Sequence, residues 1–155
     1  MPTSAIVGFK FRFVNKEQVI GTYIHYDGQP NNTLVQLIRI IKRDGIRTAI
    51  SAIVHGAKGW SILDARASYG KPGYGDPYYD MQYPSQATIV DDKCFAPELF
   101  YRTDADWAYV VDIEQNVIYV WKCSRWEWKH ICDIKLDEIP DLDAEIQRRI
   151  RQYCK

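Results

Sequence analysis

His25 and Asp27 are the two side chains best suited to proton chemistry in this 155-residue sequence. A histidine titrates near neutral pH, and a carboxylate two residues away can orient or charge its ring. At i and i+2 of a strand the two would share a face. They stand in Thr22-Tyr23-Ile24-His25-Tyr26-Asp27-Gly28-Gln29-Pro30. A purely structural account competes with this: Asp27 opens a turn by bonding its own backbone ahead of Gly28, and His25 is a strand residue. A small hydrolase or nucleotide-processing enzyme would need a third polar group converging with them in a pocket.

The second candidate is a surface rather than a reaction centre. Residues 68–86 hold five tyrosines, three glycines and three prolines. Tyrosine offers a large amphipathic contact area at low entropic cost and is enriched in binding surfaces. Tyr74, Tyr78, Tyr79 and Tyr83 are therefore the expected contacts, with His25 and Asp27 at a neighbouring turn. Aromatic platforms also stack on nucleobases. The bland account folds the segment back over a sheet as satellite core.

Other groups carry weaker signals. Trp107, Trp121, Trp126 and Trp128 read as sheet-stabilising aromatics, although Trp126-Glu127-Trp128-Lys129-His130 alternates in a way that would suit stacking on one face. Asp91, Asp92, Asp104 and Asp106 lack the spacing of a calcium loop, so no metal is expected. Cys94, Cys123, Cys132 and Cys154 form no CxxC pair and match no zinc spacing, and free thiols are expected. Arg148, Arg149 and Arg151 suit phosphate or an acidic partner but read first as a solvated helix face. No phosphate-binding loop, dinucleotide glycine pattern, HExxH or GxSxG occurs, and no cofactor is expected.

The elements that must position these residues follow from periodicity. Residues 5–14 alternate, with Phe9, Phe11 and Phe13 opposite Lys10 and Arg12, and Val19 to Tyr26 is rich in β-branched and aromatic residues. These predict two strands in an antiparallel hairpin. After the Asp27–Pro30 turn, Asn31 or Asn32 is the expected cap of a helix carrying Leu34, Leu37, Ile38 and Ile41 at i, i+3, i+4 and i+7. Arg39, Lys42 and Arg43 load its last turn, where cations suit the helix dipole, and Asp44-Gly45 ends it. Ile46, Ala49, Ile50, Ile53 and Val54 predict a second helix closed by Gly56. Trp60, Ile62 and Leu63 fit a short strand or a loop, and 68–86 reads as a long loop without regular structure. Residues 107–113, 117–122 and 126–134 predict a three-strand meander. Asp141 is the expected cap of a last helix with Leu142, Ile146, Ile150 and Tyr153 buried. The whole reads as one α+β domain over 1–155, an antiparallel sheet of about five strands packed on one face by two to three helices.

Composition narrows the function classes. Twenty basic and twenty acidic residues cancel, so no global field favours nucleic acid or an anionic membrane. No stretch approaches the length of a membrane span and no signal-peptide pattern opens the sequence, so a cytoplasmic setting is expected.

The stretch Tyr23-Ile24-His25-Tyr26-Asp27-Gly28-Gln29-Pro30, set between a hairpin and a leucine-rich helix, resembles a family of small proteins encoded by bacteriophages and prophages. Its members carry aromatic-x-His-aromatic-Asp-Gly-Tyr-Pro in that place. Ala105 to Asp112 resembles the family's second-half strand. The likeness is confined to these two patches and departs at Gln29, where an aromatic is usual. It carries over no catalytic residue. It implies the setting of a bacterial virus or mobile element, where small accessory proteins often bind and inhibit a host factor. The expected partner is accordingly a host protein, such as an antiviral defence protein, or its small signalling ligand, in the host cytoplasm. Self-association is compatible with this. Nucleic acid is the less favoured partner, and no membrane is expected.

Overall fold

A computed structural model describes residues 3–14, 16–55, 59–68, 71–77, 86–90, 105–125, 127–140 and 143–154. The aromatic alternation at the start of the chain forms β1 (Ala5–Phe13), which turns at Val14, in left-handed conformation, into β2 (Lys16–Ile24). The two pair antiparallel from Ala5↔Ile24 to Phe13↔Lys16, as expected. The polar residues Lys16 to Gln18 belong to β2 itself, so the break before it is shorter than their composition suggests.

A wide turn of π type, Pro30–Leu34, runs into α1 (Val35–Asp44). The residue capping this helical run is Gln29, with no side-chain cap bond, rather than Asn31 or Asn32. Pro30 occupies the first turn, where its missing N–H costs nothing and its fixed φ fits the helix. All four residues of the predicted stripe are buried, and so are Val35 and Ile40. The wider apolar arc has a reason: α1 lies against the sheet on one side and contacts α3 (Asp143–Tyr153) on another. Gly45, at φ 88°, ends α1. Then come α2 (Ile46–Ile50) and a second π-type turn, Ser51–His55. The indole N–H of Trp60 donates to the Ile53 carbonyl at 2.8 Å and ties this turn to the next strand.

That strand is β3 (Trp60–Leu63). Three short strands follow, β4 (Ala67–Ser68), β5 (Lys71–Pro72) and β6 (Gly75–Pro77), then β7 (Gln86–Val90). The expectation of a long segment without regular structure therefore fails in part. β4 pairs with β5, β6 pairs with β3, and β7 pairs with β2. Prolines are tolerated here because Pro72 and Pro77 each sit at the end of a very short strand.

The second half is the predicted meander of β8 (Trp107–Asp112), β9 (Val117–Ser124) and β10 (Glu127–Lys135), with a bulge between His130 and Cys132. A short 3-10 turn, Leu136–Glu138, leads toward α3. The expected cap Asp141 and the stripe residue Leu142 lie outside the described residues; Ile146 and Ile150 are buried and Tyr153 is partly so.

The fold is α+β, but the sheet is not the predicted five-stranded antiparallel one. It is mixed and larger, in the order β10-β9-β8-β1-β2-β3-β6, with β7 also on β2. β1 pairs parallel with β8 and β2 parallel with β3. Alternation marks a segment as a strand but does not name its partner, so two parallel seams between distant segments leave no local trace. The helices pack on one face, where Ala5, Val7, Phe9, Tyr109, Val111, Ile118, Val120 and Ile134 join the buried residues of α1 and α3. The opposite face has its own buried cluster of Ile6, Val19, Tyr23, Ala108 and Val110, with Tyr119, Trp121 and Trp128 partly buried against it.

Candidate functional site

The His25–Pro30 stretch is a joint between sheet and helix. Both backbone N–H groups at its start extend the sheet: His25 N donates to Trp60 O and Tyr26 N to Ser61 O, each at 2.9 Å. Asp27 then adopts φ 54°. Its carbonyl accepts from the Thr33 hydroxyl at 2.7 Å. Gly28 N donates to Thr3 O at 3.0 Å, and its carbonyl accepts from the buried Tyr109 hydroxyl at 2.5 Å. A Cβ at Gly28 would lie 2.6 Å from the Ser4 carbonyl carbon, so only glycine lets the two backbones approach this closely. The turn is held from the N-terminus, from β8 and from the helix entry at once.

This geometry removes the strand alternation that would have put the proposed proton pair on one face. The period-two argument requires both residues to be on the strand, but β2 ends at Ile24 and Asp27 is left-handed. His25 packs edge-on against Tyr23, with ring centroids 4.8 Å apart. Tyr23 belongs to the cluster on the sheet face away from the helices. Asp27 is exposed and lines a groove beside α1 whose lining does not include His25.

Two adjoining grooves run along α1. The larger, about 460 Å³, is lined by Gln36, Arg39, Lys42, Arg43, Ala65, Arg66 and Ile146. The smaller, about 300 Å³, shares Gln36, Arg39 and Arg66 and adds Asp27 and Asp64 among others. Gln36, Arg39, Lys42 and Arg43 fall at i, i+3, i+6 and i+7, the helix face opposite the buried stripe. The chain segment after β3 forms the other wall. Gln36 fixes it by accepting from Ala65 N at 2.8 Å. Arg43 holds it by donating to the carbonyls of Ala65 and Gly73.

Tyr74 closes this arrangement. Its hydroxyl donates to Asp44 Oδ2 at 2.9 Å, while Arg43 donates to the same carboxylate and lies 5.4 Å from the Tyr74 ring centroid. The Arg43 guanidinium pulls the Asp44 carboxyl below its ordinary pKa, and the bond to Asp44 raises that of the Tyr74 phenol. Tyr74, predicted as a contact residue, is thus half-buried and engaged within the protein. Tyr78, Tyr79 and Tyr83 lie outside the described residues.

Elsewhere, Arg66 donates to Asp64 at 2.8 Å and lowers that carboxyl's pKa. Asp106 accepts from Ser4 N at 3.0 Å and so secures the first strand; Asp91, Asp92 and Asp104 lie outside the described residues. Among the described residues no three His, Cys, Asp or Glu side chains converge as metal ligands, and no helix is long and apolar enough to cross a membrane. Trp107 stacks with Tyr109, and Trp121 meets His130 edge-on at 5.3 Å. His130 is exposed and lies 2.5 Å from Asp133 across the bulge. Trp126 and Cys94 lie outside the described residues. Arg148 pairs with Glu145 on α3. Cys132 and Cys154, 22 residues apart, bring their sulfurs to 3.7 Å. The shared hydrogen bond lowers the pKa of Cys132 and raises that of Cys154.

Sequence reasoning named Arg39, Lys42 and Arg43 only as complements of the helix dipole and did not name Gln36 or Arg66. The polar face of α1 was open to discovery from spacing alone. Its opposition to Arg66 was not, because that depends on where β3 pairs.

Compared with known protein families, curated proteins and solved structures, the chain has no match.

Proposed function

We propose that the chain is a non-catalytic accessory protein of phage type that binds and inhibits a host factor, either an antiviral defence protein or the small signalling ligand of one. One observation carries the binding part: a groove beside α1 whose described lining brings together Arg39, Lys42, Arg43 and Arg66, walled by the segment that leads into the tyrosine-rich stretch. Pockets of this volume suit small ligands or the anchoring side chains of a partner. The residues that offered proton chemistry serve another purpose. The Asp27–Gly28 backbone is bound on three sides, and His25 packs toward the face away from the groove. These facts favour binding over the hydrolase alternative, which needs His25 and Asp27 in one pocket. The phage setting rests on the resemblance at residues 23–30 and 105–112.

The test uses the full chain, immobilised, against bacterial lysate with and without an active antiviral defence system. Mass spectrometry identifies retained proteins and small molecules. A specific host component should be retained by the native chain and lost by the combined Tyr78→Ala, Tyr79→Ala and Tyr83→Ala variant at unchanged circular dichroism. A folded variant that keeps every retained species removes the reading.

A further inference from the structure

We infer that Cys132 and Cys154 form an oxidative modification site, a dithiol that a small-molecule disulfide closes into a reversible cross-link between β10 and the end of α3.

The bulge in β10 decides where the first thiol points. His130 stands opposite Trp121, on the sheet face away from the helices. Strict alternation would leave Cys132 on that same face. The bulge between them shifts the register by one, so Cys132 stands opposite Val120, which is buried on the helix face. The second thiol comes from the helix. Cys154 directly follows α3, and its backbone N–H donates to the Ile150 carbonyl at 2.9 Å, which continues the helical course. Four residues after the buried Ile150, it falls on the same side of the helix. Both cysteines pack against the main core, and their sulfurs meet at 3.7 Å across 22 residues of sequence. Cys123, on neighbouring β9, alternates with Trp121 onto the other face, so the seam selects Cys132.

The step from contact to bond is short. A disulfide requires Cβ atoms that face each other and sulfurs about 2.05 Å apart. The first condition is met by the thiol contact, and the second needs a closure of roughly 1.7 Å. Cys154 can supply it, because the end of a helix is where backbone opens most readily.

The chemistry is thiol–disulfide exchange. The hydrogen bond between the thiols favours one thiolate, the form that attacks. That thiolate attacks one sulfur of the small disulfide RSSR and expels RS⁻, which takes up the proton the thiol released. The second thiol gives up its proton and attacks the protein sulfur of the mixed disulfide. A second RSH leaves. The two cysteines lose two electrons and the small disulfide gains them. Both thiols are half-buried, so a small oxidant reaches them, whereas a retained adduct would have to sit against the core. The closed form is neutral and adds no charge beside the buried Tyr109, whose phenol lies near enough to feel both thiols. In a reducing cytosol the pair is open, and an oxidising shift closes it.

The folded full chain is incubated with glutathione disulfide, alkylated and digested with trypsin, beside a sample reduced with dithiothreitol. Mass spectrometry should find the peptides His130–Lys135 and Gln152–Lys155 joined, from a monomer that has lost two hydrogens, and dithiothreitol should separate them. The oxidised chain should melt roughly 5–10 °C above the reduced one, since closing a loop of this length removes entropy from the unfolded chain. Cys132→Ser and Cys154→Ser should each lose the joined peptides and the shift. The combined Cys94→Ser, Cys123→Ser variant should keep both. Native chain in which the two cysteines carry only glutathione or alkyl groups overturns the inference. So does a joined pair with no rise in melting temperature, because such a bond strains the fold instead of clasping it. A shift that the folded Cys154→Ser variant retains in full overturns it as well.

Discussion

Tyr109 shows what a single buried polar atom does for this protein. Its ring is wholly inside the core, and its hydroxyl ends on the Gly28 carbonyl 81 residues away in sequence. Burial pushes the phenol well above its ordinary pKa, so it remains a donor throughout the physiological range. Tyr109→Phe keeps the ring and removes the donor, leaving a buried carbonyl unsatisfied. The expected cost is about 1–3 kcal/mol in urea denaturation, far above the near-zero cost of the same change on a surface tyrosine. A loss below about 0.5 kcal/mol would mean that water reaches the Gly28 carbonyl. The Asp-Gly turn itself is legible in the sequence from its residue types. What is not legible is that Gly28 is required by the Ser4 backbone pressed against it, since no local pattern announces a neighbour from the N-terminus.

At the scale of elements, α1 and the segment after β3 form a unit joined by Arg43, Asp44 and Tyr74. The pH dependence of this junction follows from two shifts. The Asp44 carboxyl is depressed, chiefly by its bond from Arg43, so its contribution to stability is complete above the ordinary aspartate pKa of about 3.9 and is lost as pH falls through the lower folded value. The Tyr74 phenol is raised, chiefly by its bond to Asp44. Its contribution is complete below the ordinary tyrosine pKa of about 10 and is lost as pH rises through the folded value. Between these limits Tyr74→Phe should lower stability by a constant amount, about 1 kcal/mol for a partly buried bond to a charged acceptor. Urea midpoints of the native and variant proteins should converge below the acid limit. A gap that persists unchanged to the lowest pH at which both are folded would show that the hydroxyl contributes nothing through the carboxylate.

At the scale of the whole molecule, the position of β1 dominates. It pairs along its length with β2 and parallel with β8, which lies about a hundred residues further on. One side of it lies beneath the helices and the other faces the second cluster. The N-terminal strand therefore cannot open without separating both halves of the sheet. Native-state hydrogen exchange should find the amides of Ile6 to Phe9 exchanging only with global unfolding, at the full stability of the protein. Exchange of these amides at markedly lower free energy would show that the β1–β8 seam opens as a separate unit.

The amino-acid sequence by itself determined the local elements: the N-terminal hairpin, the apolar stripe of α1, the stop at Gly45 and the β8–β9–β10 meander. Each rests on residues within a few positions of one another, and period and turn chemistry act at that range. Only the tertiary structure decided the parallel seams, the end of β2 ahead of the left-handed Asp27 and the groove in which Arg66 stands across from Arg39 and Lys42. Strand partners are chosen by burial of whole faces, and a cation becomes part of a site only when the backbone brings another cation opposite it.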